Sequence, residues 1–129
     1  MKKSLFLALA LCLCAVLVLS SCAPAYRDDA RVGTYIAYGA DGKRVDYRLF
    51  LNEDGTGDLI HYPLIGGETR EEIIFEFRDD VLNLHGTEVV GGVIGRNELT
   101  GKVELVGDAY TFELRGSSSG AVFANFVRE

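Results

Sequence analysis

Cysteine is confined to one end of this chain: Cys12, Cys14 and Cys22 fall in the first 22 of 129 residues, and none follows. From Ala23 onward there is no thiol, which excludes a disulfide, a thiolate nucleophile and a Cys-ligated metal in that part. The fold there must stand on its hydrophobic core. Tryptophan is absent altogether. Basic residues are in deficit: 13 Lys and Arg face 19 Asp and Glu, for a net charge of −6. An acidic surface repels phosphate backbones, so a nucleic-acid partner is not expected. No window carries a sustained helical period, and no basic stretch follows Cys22.

What the N-terminus does contain is a greasy run. Lys2 and Lys3 precede Leu5 to Leu19, fifteen almost wholly apolar residues. That length suits a signal-peptide core and falls short of the roughly 20 residues that span a bilayer, which argues against an uncleaved membrane helix. The run ends Leu19-Ser20-Ser21-Cys22. This stretch resembles the lipobox of bacterial lipoproteins, a Leu-like residue and two small residues before a Cys.

The resemblance implies a diacylglyceryl group on the Cys22 thiol and cleavage between Ser21 and Cys22. Residues 1–21 are then a lipoprotein signal peptide that takes Cys12 and Cys14 with it, and residues 22–31 a lipidated N-terminus and tether. Residues 32–129 remain as one domain, of a size that builds a single core. A second acyl chain turns marginal attachment into stable anchoring. The expected location is the cell envelope outside the cytoplasm. The residue after Cys22 is Ala23 and not the Asp that marks inner-membrane retention, so a two-membrane source implies the outer membrane. The tether, APAYRDDAR, reaches on the order of 30 Å when extended.

From Val32 the chain reads as strands and turns. VGTYIAY is β-branched and aromatic. Asp41-Gly42 and Asp54-Gly55 are hairpin turn pairs, because Gly accepts positive φ. VDYRLFLN sets Tyr47, Leu49 and Leu51 on one face and Arg48 on the other. Gly57–Tyr62 follows, then a looser link with Pro63, Gly66 and Gly67. EEIIFEFR alternates Ile73, Phe75 and Phe77 against Glu72, Ile74, Glu76 and Arg78. VLNLH, ELTGKVELV, AYTFELR and AVFANFVR complete the series, the last two with the period of half-buried strands. TEVVGGVIGRN (Thr87–Asn97) wants a strand at its valines and is interrupted by Gly91, Gly92 and Gly95.

The expected fold is all-β: an antiparallel meander of eight strands, nine if the Gly-rich stretch pairs. A meander leaves two exposed edges unless it closes into a small up-and-down barrel. The alternative is a two-sheet sandwich.

This domain resembles the lipocalin-like domains of small bacterial lipoproteins. In lipocalins the first strand carries Gly-x-Trp and a last-strand Arg packs over that ring. Here Gly33-Thr34-Tyr35 and Phe126-Val127-Arg128 stand in those places, with Tyr for Trp, and LNEDGTGDL (Leu51–Leu59) is similar to a hairpin of those domains. The resemblance implies that Arg128 stacks on Tyr35 and closes one end of the barrel.

Motifs suggestive of chemistry reduce to turns. Gly116–Gly120 (GSSSG) matches G-x-S-x-G, but a strand follows it instead of a helix, and neither His61 nor His85 comes after the serines. Asn52–Asp58 is acidic, yet its Gly does not fall where a calcium loop needs it. His61 and His85 lack a third ligand. Glu71 and Glu72 are adjacent in a strand and point to opposite faces, so they cannot act as an acid–base pair. No catalytic residue, cofactor or metal site is expected. Inward tyrosines could line a pocket or fill the interior, since an eight-stranded barrel has room for one or the other.

Two functions follow. One is a membrane-anchored, non-enzymatic lipocalin-like barrel holding a small apolar or amphipathic ligand. The other is a solid-core interaction or inhibitor module contacting another envelope protein.

Overall fold

The structure, a computed structural model, describes residues 25–86 and 98–129. The signal peptide, Cys22 and the possible ninth strand in Thr87–Asn97 lie outside the described residues. Within them are eight strands in chain order: β1 (Gly33–Tyr38), β2 (Val45–Leu51), β3 (Thr56–His61), β4 (Thr69–Arg78), β5 (Val81–Gly86), β6 (Leu99–Val106), β7 (Ala109–Gly116) and β8 (Val122–Arg128). Each pairs antiparallel with the next, and β1 pairs with β8 through Tyr35↔Arg128 and Ile36↔Val127. The sheet is a closed barrel, not a sandwich. Closure removes the open edges that a flat meander would leave.

The turns form for the reasons their residues suggest. Gly42, Gly55 and Gly107 all have positive φ, and Asp79 joins them at φ 54°, a conformation that Asp tolerates. Asp54 fixes its own turn by accepting from the Thr56 amide at 3.0 Å and the Thr56 hydroxyl at 2.6 Å.

Alternation then decides what goes inside. Tyr35, Leu49, Leu82, Leu84 and Leu114 are wholly buried, and Ile73, Phe75, Phe112 and Phe126 nearly so. Tyr35 and Phe112 rings lie 4.6 Å apart, and Phe112 stacks on Phe126 at 5.4 Å. Side chains occupy the middle of the barrel, as its strand number predicts. Of the tyrosines considered for the interior, Tyr35 and Tyr47 face in and Tyr110 packs against the core, whereas Tyr38 is exposed and Tyr62 lies outside beside Arg48.

The two ends differ. At one end lie the short turns after β2, β4 and β6, and the segment Tyr26–Val32 packs there. Tyr26 stacks on Phe75 at 5.2 Å and meets Phe77 edge-on at 5.3 Å. Its hydroxyl accepts from the Phe77 amide at 2.9 Å, and its amide donates to the Glu53 carbonyl. Arg31 lies over the Phe77 ring at 4.0 Å and pairs with Asp29 at 2.7 Å. Of the segment read as a tether, Tyr26 to Arg31 therefore lie against the barrel and plug this end.

Arg128 completes the plug. Its guanidinium lies 5.8 Å from the centre of the Tyr35 ring and donates to the Ala30 carbonyl at 2.5 Å. The stacking implied by the resemblance is present. The Tyr35 hydroxyl donates to the Arg31 carbonyl at 2.5 Å. At the opposite end, the longer connections 39–44, 62–68 and 117–121 surround the barrel's mouth.

Candidate functional site at the barrel mouth

The register brings a small set of side chains to the mouth. Tyr47 on β2 sits opposite His61 on β3, and His61 sits opposite Thr69 on β4. One layer deeper, Leu49, Leu59 and Glu71 form the next inward row. Strand β4 starts at Thr69, two residues before the expected Glu71, and this early start puts Thr69 and Glu71 on the inner face with Ile73.

The last contributor comes from an irregularity. Leu114 pairs with Ala124 and Arg115 with Val122, so Phe123 is an extra residue in β8. A bulge re-aims a side chain, and here the Phe123 ring reaches Tyr47 at 4.8 Å. Tyr47, Leu59, His61, Thr69, Glu71 and Phe123 line a cavity of about 110 Å³.

Its chemistry is aromatic, apolar at the floor and rich in acceptors. His61 stacks on Tyr47 at 4.6 Å with the ring planes 19° apart, and its Nε2 lies 3.5 Å from Asp46 Oδ1. Burial pushes the Tyr47 phenol above its ordinary pKa of 10.0, and the nearby carboxylates of Asp46 and Glu71 push it the same way. The rim is mixed in charge, since Arg44 Nη1 lies 3.9 Å from Asp46 Oδ1. Ligand pockets for drug-sized molecules start at roughly 300 Å³, so the space between these residues suits a short group and not a whole lipid chain. Below Leu59 the core side chains Leu49, Ile73 and Phe75 are buried.

A larger concavity, about 590 Å³, lies outside the barrel along β6, β7 and β8. It is shallow. Its charged groups pair with one another: Arg115 with Glu113, and Lys102 with Glu104 at 3.8 Å. That face behaves as a solvated surface.

The other sequence candidates separate cleanly. His61 faces the mouth, while His85 lies opposite the outward-facing Ile74 and meets Glu98 at 3.1 Å. The two histidines stand on opposite faces of the wall. Among the described residues no group of three or more His, Cys, Asp or Glu could hold a metal. Ser117–Ser119 lie in the β7–β8 hairpin loop, where Ser119 accepts from the Ala121 amide. Glu71 and Glu72 do diverge, with Glu71 inward.

Sequence reasoning passed over Thr69, Phe123 and Tyr26, and weighed Glu71 only as half of an acid–base pair. Glu71 was legible from its spacing to Ile73. Phe123 was not, because a bulge breaks the alternation that would place it. Tyr26 sits in a short polar segment without periodicity, and only its being aromatic hinted at a docking role. Compared with protein-family models, with curated proteins and with solved structures, the chain matches none.

Proposed function

We propose that this protein is a non-enzymatic, lipid-anchored binding module of the cell envelope, whose lipocalin-like barrel receives a small amphipathic group at its mouth. One observation carries the binding part: a cavity lined by Tyr47, His61, Glu71 and Phe123 opens above the buried core. The barrel acts as a rigid frame, and recognition concentrates at one end. Support for the anchor is the Leu19-Ser20-Ser21-Cys22 stretch after its apolar run.

Native mass spectrometry of the mature protein, purified from its own host's envelope, tests the binding part. An adduct of constant mass that is lost on denaturation supports it, and a bare mass counts against it. Cys22→Ser tests the anchor separately. The variant should lose lipid labelling and membrane attachment; retention on the membrane, unlabelled and unprocessed, means an uncleaved helix.

A specific observation favours the second reading, an interaction module. Leu64 is 85% and Ile65 92% exposed on the 62–68 connection, at the same end as the cavity. Replacing both with Ser should abolish co-purification of an envelope partner if that reading holds.

A further inference from the structure

We propose that Leu105 and Val106, at the tip of the β6–β7 hairpin, rest in the headgroup layer of a zwitterionic phospholipid bilayer as a second contact beside the lipid anchor. This deepens the anchored reading above and rests on it.

Leu105 is 59% and Val106 61% exposed, the last two residues of β6 before the Gly107-Asp108 turn. The strand period puts Leu105 in the inward row after Val103 and Val106 in the outward row. Val103 is buried, but Leu105 lies past the core, so both faces of the strand are apolar and uncovered at its tip. The other two turns at this end expose Glu53-Asp54 and Asp79-Asp80 instead. Among the described residues, the remaining exposed large hydrophobics stand elsewhere: Tyr38, Leu64, Ile65 and Val122 towards the mouth, and Ile74 on the side wall. A lone exposed aliphatic needs no explanation. Here the position of the pair is what points to lipid.

The chain enters the barrel at the same end. The Tyr26 amide donates to the Glu53 carbonyl at 2.9 Å, in the turn after β2, and Cys22 is four residues earlier in the sequence. Lipid on Cys22 brings the bilayer to the rim beside β2 and β3. In the closed order of eight strands, the β6–β7 turn stands four strands from the β2–β3 turn, on the opposite rim. An anchor at one rim lets the barrel tip about it. An aliphatic pair on the far rim gives the same end a second foothold, because such side chains gain by leaving water at an interface. The exposed carboxylates of this end oppose an anionic surface. Lys102 offsets part of that charge, 3.7 Å from Asp80 and 3.8 Å from Glu104. A headgroup layer without net charge therefore suits it.

The chain has no Trp, so one can be placed as a reporter. Leu105→Trp and, separately, Leu64→Trp at the mouth end are made in the full chain. The processed, lipidated proteins are reconstituted on phosphatidylcholine vesicles with and without brominated acyl chains, and cosedimentation is measured first. Emission of Leu105→Trp should shift to the blue and be quenched by bromine, while Leu64→Trp stays unquenched. Quenching should weaken on phosphatidylglycerol vesicles; stronger quenching there overturns the zwitterionic assignment. Val106→Trp repeats the measurement if the first variant misfolds. Failure to cosediment overturns the anchored reading and this inference with it. Cosedimentation with Leu105→Trp unquenched overturns the inference and leaves the anchor standing. Equal quenching of both reporters overturns it too, since the barrel then has no fixed end towards the lipid. Protection from iodide without bromine quenching means that a second copy or a protein partner covers the tip, and overturns the lipid assignment.

Discussion

Arg128 and Gly33 occupy the same space from opposite ends of the chain. A Cβ built on Gly33 would lie 2.6 Å from the Arg128 guanidinium, and Gly33 has φ +137°, which side chains rarely adopt. The absence of a side chain on the first strand is thus what lets the last strand's Arg settle over Tyr35. Gly33→Ala should destabilise the barrel by about 1–3 kcal/mol. In an Arg128→Ala background it should cost less, because only the backbone strain is left. Urea midpoints of the four members of this cycle check the coupling; additive losses would mean the two residues act independently.

The plug has its own signature. Tyr26→Phe removes the acceptor of the Phe77 amide and should cost about 1 kcal/mol. Tyr26→Ala also removes the ring packed on Phe75 and Phe77, and its loss should approach about 3 kcal/mol. Denaturant midpoints separate the two. Equal, negligible losses would show that the segment does not hold this end closed.

Alkali should loosen the fold. Burial pushes the Tyr35 phenol above its ordinary value of 10.0, with the Arg128 and Arg31 charges offsetting part of the rise. Tyr47 moves the same way. The unfolded chain then gives up these protons near pH 10 while the folded chain keeps them. The associated stability is full below that pH and falls as pH rises through the folded pKa values. Unfolding midpoints between pH 8 and 11 should decline, and less steeply in Tyr35→Phe. A curve unchanged by that substitution would exclude Tyr35 as a source of the loss.

If the interior is filled, it should punish deletion. Leu49 is wholly buried, and Leu49→Ala should cost about 2–5 kcal/mol. A much smaller loss would indicate a site that collapses easily or a space already in part empty.

Much of this architecture was readable in the amino-acid order. The strands from Val45 onward fall within about two residues of their sequence expectation, because Tyr47-Leu49-Leu51 and Ile73-Phe75-Phe77 alternate with the period that a half-buried wall demands. Closure through Gly33, Tyr35 and Arg128 followed from the lipocalin resemblance. The mouth was harder to see. Phe123 reaches it through a bulge, and register shifts leave no local mark on composition. Ile36 and Ile60 lie across β1, β2 and β3 in the row of outward Arg48, yet both are buried. Alternation alone assigns outward residues to solvent. Long side chains such as Arg48, which reaches Tyr62 and Glu129, can cover apolar neighbours with their stems.

The docking of Tyr26 also bears on the proposed anchor. Only Ala23, Pro24 and Ala25 separate it from Cys22, a reach of about 13 Å at ~3.3 Å per residue. A barrel held by lipid on Cys22 would therefore stand upright on its bilayer, plugged end down. Its opening would look outward into the aqueous compartment. Whatever enters would arrive by diffusion through water and not by lateral transfer from the lipid beneath.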